Sequence, residues 1–153
     1  MKVAWIQKFD VPKRFVAQYT TKSGEKKGGF MTYAEKTGFD FVGGVLKPER
    51  NTIFLECKST KEGHIPLWQD NTGIKRHQIE AMQWLENFGF LCYFLWQVRT
   101  SPVIVYKFTP SQLVAGVAGS KELRISDCDE LHFPRLIKVK KGAREYYDFL
   151  GLI

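Results

Sequence analysis

The chain has 153 residues, 44% of them hydrophobic and 25% charged, and its 23 Lys and Arg against 16 Asp and Glu give a net charge of +7. This composition is typical of one folded domain with a buried core and excludes a disordered chain. The positive excess favours a polyanionic partner, with nucleic acid ahead of an acidic membrane surface.

The first part of the chain reads mainly as strands. Val3–Gln7 is the first predicted strand, and the Gly- and Lys-rich stretch 20–29 is predicted to be a cationic loop or hairpin tip. Two apolar runs, Phe39–Leu46 and Thr52–Cys57, flank a turn and predict a hairpin. The stretch 60–73 contains Gly and Pro breakers, and we expect it to be irregular.

The second part alternates helices and strands. Lys75–Phe88 is predicted to be a helix, capped by Asn71 or Thr72 and ended by Gly89. Its apolar stripe comprises Ala81, Met82, Leu85 and Phe88, and Gln78 falls on the same stripe. The later predicted elements are strands at 91–97, 103–108, 123–125 and 137–139, and helices at 111–118 and 143–150. This order predicts an α/β domain whose central mixed sheet is flanked by helices, with residues 91–97 at its centre, covered on both faces.

The number and spacing of the cysteines and the length of the apolar runs indicate the cellular compartment. Cys57, Cys92 and Cys128 are odd in number and show no CxxC spacing, which argues against a disulfide framework and a zinc site. The sequence has no run of about 18 apolar residues and no apolar leader at its start. We therefore expect a cytoplasmic protein that does not enter the membrane.

One pair of carboxylates organises the functional interpretation. If the hairpin is symmetric about Pro48, Asp40 lies opposite Glu56, with Cβ atoms about 5 Å apart. One face then collects Phe39, Phe41, Val45, Ile53, Leu55 and Cys57, and the other collects Asp40, Val42, Phe54, Glu56 and Lys58. Two carboxylates this close repel each other unless a proton or a cation lies between them.

A divalent cation resolves that repulsion. Asp40 and Glu56 would hold Mg²⁺, or Mn²⁺ in its place, with the carbonyl of Cys57 and the amide oxygen of Gln78 as further oxygen ligands. Lys58 would orient or deprotonate an attacking water, or offset charge that develops on a phosphate. The ordinary alternative is a solvated Glu–Lys pair on a surface strand.

Other residues are candidates for contacts with nucleic acid. Lys22, Lys26 and Lys27 could follow a DNA backbone, although a solvated loop has the same composition. Arg76 and His77 lie at the predicted helix start, beside the carboxylates. His64 and His132 are interpreted as structural, and Trp84 and Trp96 as core or interface residues. Trp68, in the irregular stretch, is the aromatic residue worth testing as a base contact.

These residues carry a family resemblance. The pattern Asp40…Glu56-x-Lys58 is the metal-site signature of the PD-(D/E)xK nucleases, and the chain resembles RecU-type Holliday junction resolvases within them. The segments that carry the resemblance are DFVGGV from Asp40, FLECKST from Phe54, IPL from Ile65 and HQIEAM from His77. The resemblance implies a restriction-endonuclease-like fold and a metal site formed by Asp40, Glu56, Lys58 and Gln78.

The resemblance also implies a biological task. It predicts one nuclease domain over residues 1–153, with a basic projecting stalk at about 13–36, that nicks four-way DNA junctions symmetrically as a homodimer without a small-molecule cofactor. The small size suits a bacteriophage-encoded version. Two departures stand out: the chain begins almost at the first strand, where the family carries a preceding helix, and Gly38 replaces the family's usual Thr. A nuclease for another substrate, of the restriction or repair type, and a non-catalytic nucleic-acid-binding module remain alternatives.

Overall fold

The computed structural model of the protein describes residues 4–8, 13–16, 19–27, 30–33, 38–45 and 51–147. Its strands are β1 (Ala4–Lys8), β2 (Lys13–Val16), β3 (Tyr19–Thr20), β4 (Lys26–Lys27), β5 (Phe30–Tyr33), β6 (Phe41–Val45), β7 (Asn51–Thr60), β8 (His64–Gln69), β9 (Ile74–Lys75), β10 (Leu91–Val98), β11 (Ile104–Phe108), β12 (Glu122–Arg124), β13 (Lys138–Lys141) and β14 (Arg144–Tyr147). Its helices are α1 (Arg76–Asn87), α2 (Pro110–Gly116) and α3 (Ile125–Glu130).

The central sheet is mixed. Five strands lie in the order β1-β6-β7-β10-β11, in which β7 and β10 are parallel and the other neighbours are antiparallel. The parallel pair is connected through α1, the crossover that a parallel connection requires. The predicted fold class, an α/β domain with a mixed central sheet and packed helices, is confirmed. None of the helices within the described ranges is long and apolar enough to cross a membrane.

The main core lies between one sheet face and the helices. Along β10 every second side chain is fully buried and the others are half-buried. The buried set, Cys92, Phe94, Trp96 and Val98, shares a core cluster with residues of α1 and α2. The other face of β10 is half-buried, because Leu91, Tyr93 and Leu95 pack against Ile53 and Leu55 of β7, so the strand is covered on both faces but more completely on the helix side. The other face holds a smaller cluster around Ile53 and Leu55.

The ends of helix α1 lie close to those predicted, but its N-cap and its apolar stripe differ from the prediction. Gly89 has φ +84° just after the helix, which confirms its left-handed position. The N-cap is Lys75, not Asn71 or Thr72. Phe88 is 64% exposed, so the predicted stripe ends a turn early. Trp84 is 62% exposed and its ring lies 4.6 Å from that of Phe88, so it is not a core residue, whereas the Trp96 side chain is fully buried.

Three segments differ from their predictions. Within 60–73, Ile65 and Leu67 are both 1% exposed and form β8, because their alternation outweighs the neighbouring Gly and Pro. Helix α3 follows β12 directly where only a strand was expected. At 143–147, Gly142 has φ +63° and turns the chain into the hairpin β13–β14, so the predicted terminal helix is wrong there; residues 148–150 lie outside the described residues.

The basic N-terminal stretch forms antiparallel pairs. Strand β2 pairs with β5, and inside them β3 pairs with β4 around a turn at Gly24. This confirms the predicted hairpin tip over residues 20–27, while residues 28–29 lie outside the described residues. The projecting stalk at about 13–36 stays a prediction, as does the single-domain extent of 1–153.

Candidate active site

The two predicted carboxylates lie just before β6 and within β7. The β6–β7 pairing runs from Val45–Asn51 to Phe41–Leu55, which confirms over β6 the register expected for a hairpin symmetric about Pro48. The backbone N–H of Asp40, the residue before β6, donates to the carbonyl of Leu55 at 2.8 Å, one residue out of that register. Regular pairing therefore ends at Phe41, and the direct opposition of Asp40 and Glu56 stays a prediction. The turn at 46–50 lies outside the described residues.

A backbone hydrogen bond holds the Asp40 side chain. Its Oδ2 accepts a hydrogen bond of 2.9 Å from the N–H of Cys57. Phe39, expected on the opposite face, instead packs against Phe54 with ring centroids 4.8 Å apart. The reason is that β6 begins at Phe41, so strand alternation does not extend to residue 39. The carboxylate of Asp40 is thus tied directly to the residue that follows Glu56.

Glu56 is the most unusual residue of this cluster. Its side chain is 1% exposed, and its Oε1 lies 2.6 Å from Lys58 Nζ and accepts a 2.5 Å hydrogen bond from Gln78 Nε2. Its Oε2 is the one buried side-chain oxygen or nitrogen in the described part of the chain that has no hydrogen-bond partner. Burial is the main cause that raises the pKa of Glu56 from 4.5 to about 7, with Asp40 adding to it and Lys58 and Gln78 opposing it.

Gln78 positions Glu56. It is 7% exposed, and its Oε1 accepts a 3.1 Å hydrogen bond from the backbone N–H of Lys75. A backbone N–H must face an oxygen, so this bond fixes the amide orientation and aims the Gln78 NH₂ group at Glu56. In this arrangement Gln78 acts through Glu56. Its role as an oxygen ligand for the metal stays a prediction.

The oxygen atoms of this cluster suit a divalent cation. Hard cations such as Mg²⁺ take oxygen ligands, and a buried carboxylate oxygen without a hydrogen bond is a ready ligand. Asp40, Glu56 through Oε2, and the backbone carbonyl of Cys57 would hold the ion. In the described ranges no three His, Cys, Asp or Glu side chains form a metal cluster, so two carboxylates and backbone oxygen are the available set. This set fits Mg²⁺ or Mn²⁺ better than Zn²⁺.

The cysteine within the cluster is not a nucleophile. Burial, followed by the negative charges of Asp40 and Glu56, raises the pKa of the Cys57 thiol to about 12. The half-buried thiol therefore stays protonated at neutral pH.

Glycine at position 38 lets the Asp40 segment approach helix α1. Gly38 is buried, and a Cβ added there would lie 2.3 Å from the Cβ of Ala81, closer than real side chains come. This contact accounts for Gly38 at the position where the resembling family has Thr. It also means that α1, which carries Gln78, and the segment that carries Asp40 are packed directly against each other.

We predict that Gly38→Ala weakens both the fold and the site. Overpacking at a buried contact typically costs about 1–3 kcal/mol, so the free energy of unfolding should fall, and displacement of Asp40 should reduce any metal-dependent activity. Urea denaturation measures the first effect. The control is Gly44→Ala in β6, where an added Cβ meets nothing within 4 Å. Adding Ala81→Gly to Gly38→Ala should recover part of the loss; equal behaviour of Gly38→Ala and Gly44→Ala would contradict this.

The predicted DNA-contacting residues are spread over two places. Lys22 and Lys26 are exposed in the β3–β4 hairpin, and the side chain of Lys27 lies outside the described residues. Arg76 is exposed at the start of α1, and His77 beside it is half-buried. The structure thus brings Asp40, Glu56, Cys57, Lys58 and Gln78 together, and the contacts of the remaining candidates with DNA stay predictions.

Sequence reasoning missed a cleft beside Lys58. It has a volume of about 500 Å³ and lies between the end of β7, strand β8 and the segment 71–75. Lys75, Asn71 and Thr72 line it together with Lys58. Asn71 and Thr72 had been interpreted as helix caps, and no spacing in the sequence places Lys75 beside Lys58.

Comparisons with known proteins add one similarity. No protein-family model and no curated protein matches the chain. Ten chains of known structure match it, among them Hjc from Archaeoglobus fulgidus, a Holliday junction resolvase from an archaeal hyperthermophile. That match has a TM-score of 0.37 at 15% identity and covers 61% of this chain and 73% of Hjc. A similarity at this level assigns neither family nor activity.

Proposed function

We propose that this chain is a metal-dependent, structure-selective DNA endonuclease that nicks four-way junctions. The observation that supports it best is a buried Glu56 whose Oε2 has no hydrogen-bond partner, with Asp40 bound to the N–H of the next residue, Cys57, and with Lys58 two residues along the same strand face. Burying a carboxylate destabilises the folded protein, and such groups are found where a site binds a cation or carries out chemistry.

The residues divide the chemistry between them. When bound, Mg²⁺ supplies Lewis-acid stabilisation of the phosphate and lowers the pKa of a coordinated water. Asp40 and Glu56 provide the negative charge that holds the ion, and Gln78 keeps Glu56 in place. A water oxygen forms the new bond to phosphorus, one phosphorus–oxygen ester bond breaks, and the leaving oxygen takes up a proton. No covalent intermediate with the protein is required.

Lys58 is placed to act on the phosphate. Its Nζ lies 2.6 Å from Glu56 Oε1, and its side chain also lines the adjacent cleft. An ammonium group in this position can offset the charge that develops on the phosphate or orient the attacking water.

The proposal has three further parts: the substrate is a four-way junction, the enzyme is a homodimer, and the chain is related to RecU-type enzymes. They are supported by the sequence resemblance and by the net charge of +7. Two symmetric cuts need two sites related by a two-fold axis, which a homodimer provides. A nuclease of the restriction or repair type uses the same metal site, so only the choice of DNA distinguishes it.

The test compares a synthetic four-way junction with a linear duplex of the same sequence. With Mg²⁺ or Mn²⁺ we expect the junction to be nicked in two symmetric strands, the duplex to stay intact, and excess EDTA to stop the reaction. Equal cutting of both DNAs would leave a nuclease of another substrate class. Binding of the junction without cutting under either metal would favour a non-catalytic nucleic-acid-binding module.

A further inference from the structure

A second functional surface adjoins the carboxylates. The cleft of about 500 Å³ described above begins at Lys58, the same residue that contacts Glu56. It continues past Ser59 along the end of β7 to the segment 71–75, where Asn71, Thr72 and Lys75 line it. A ligand in the cleft would therefore lie directly beside the reacting phosphate.

The wall formed by 71–75 is built into the fold. Gly73 has φ +67°, and a Cβ at this position would lie 2.0 Å from the carbonyl oxygen of Pro66 in β8. Ile74, the next residue, is fully buried. The backbone N–H of Lys75 is bound by Gln78, the residue that holds Glu56. These contacts attach the cleft wall both to β8 and to the catalytic cluster.

The chemistry of the lining selects the ligand. Lys58 and Lys75 bring two ammonium groups, and Asn71, Thr72 and Ser59 bring uncharged polar groups. Glu62 is the one carboxylate among the lining residues, so cations outnumber it. An ammonium pair with neutral hydrogen-bonding groups suits a sugar-phosphate: the ammonium groups pair with phosphate, and the amide and hydroxyl groups bond to its ester and sugar oxygens.

We infer that this cleft binds the nucleotide next to the scissile phosphate, with Lys75 paired to that nucleotide's own phosphate. The inference rests on the proposed function and deepens it, because it names where the cut strand continues from the carboxylates. Lys75 is then a substrate-positioning residue: it contributes to binding of the strand and does not touch the reacting atoms.

Lys75→Gln is the decisive variant, because it removes the charge, keeps a polar side chain that is one atom shorter, and retains the backbone N–H that Gln78 binds. Loss of one phosphate contact lowers the slope of log K against log salt by about one and weakens binding uniformly across sequences. We expect KM for junction cleavage to rise about 5- to 10-fold with kcat changed less than about twofold. Lys75→Arg should restore most of the loss.

Two further variants control for general charge effects. Lys121→Ala removes an exposed lysine beside β12, on the other side of β8 from the cleft, and should leave KM and the salt slope unchanged. Glu62→Gln should tighten binding, since it removes the one carboxylate among the residues that line the cleft. Junction affinity is measured in the Asp40→Asn background, so that cleavage does not interfere, and thermal melting verifies that each variant is folded.

The outcomes separate the two proposals. If the wild type cleaves the junction and Lys75→Gln has the same KM and salt slope as Lys121→Ala, the proposed role of the cleft is wrong. The proposed nuclease activity would then still stand. A fall in kcat at unchanged KM would also overturn it, since that result means that Lys75 acts only by supporting Gln78 and Glu56. Absence of both DNA binding and cleavage in the wild type would overturn the proposed function and the cleft together.

Discussion

Asp40→Asn and Glu56→Gln should each lower the rate of junction cleavage by at least about 100-fold, because each removes a charge that holds the metal, and metal catalysis contributes several kcal/mol. Both substitutions keep the size of the side chain. Junction binding should persist, since the basic surface is untouched and loss of negative charge does not weaken the attraction of DNA. Single-turnover cleavage and gel-shift titration in the same buffer measure the two quantities.

The matched control is Glu130→Gln, which removes an exposed carboxylate at the end of α3. It should cleave at the wild-type rate. Full activity of Asp40→Asn or of Glu56→Gln would refute the metal assignment. Loss of binding together with cleavage would instead indicate that these carboxylates maintain the DNA-binding structure.

Glu56→Gln should also make the protein more stable in the absence of divalent metal at pH 8. Burial raises the pKa of Glu56 from 4.5 to about 7, so between these values the folded state holds a proton that the unfolded state has lost. The free energy of unfolding of the wild type therefore falls as the pH rises through this window and levels off above it. A pKa raised by this amount means that ionisation of Glu56 lowers the free energy of unfolding by about 3 kcal/mol. Glutamine, which resembles the protonated acid, does not ionise, so the variant does not lose this stability.

Urea denaturation in EDTA at pH 4.5 and pH 8 tests this. The stability difference between Glu56→Gln and wild type should be small at the lower pH and large at the higher one. Added Mg²⁺ should stabilise the wild type, because a ligand that binds only the folded state favours it, and should stabilise Glu56→Gln much less. If Glu56→Gln is less stable than the wild type at both pH values, the Glu56–Lys58 ion pair is structural and the functional interpretation of Glu56 loses its main support.

The two predictions together distinguish a functional carboxylate from a structural one. A buried carboxylate that serves the fold stabilises it through its partners, and its removal is destabilising. A buried carboxylate kept for chemistry destabilises the empty protein, and its removal costs activity. Glu56 has one oxygen with two partners and another with none, which is the arrangement expected of the second kind.

The local sequence pattern was sufficient to predict features that depend on a regular repeat, such as strand register and the buried face of a helix. Alternation in the two strands predicted the register of β6 against β7 from Phe41 to Val45, because side chains repeat every second residue and a hairpin fixes register. Capping chemistry located the end of α1 at Gly89, but it failed at the start of that helix, where Lys75 and not Asn71 or Thr72 is the N-cap. A buried Gln78 followed from the helical period alone.

Tertiary packing decided the rest, because it joins residues that are far apart in sequence. Three features depend on where α1 lies against β7 and β8. They are the lack of room for a side chain at Gly38 beside Ala81, the amide orientation that Lys75 imposes on Gln78, and the cleft between Lys58 and Lys75. The sequence alone determined which residues carry charge and which face of a strand they share. Only the packed structure decided that one oxygen of Glu56 lies buried without a partner, since burial depends on all the neighbours at once.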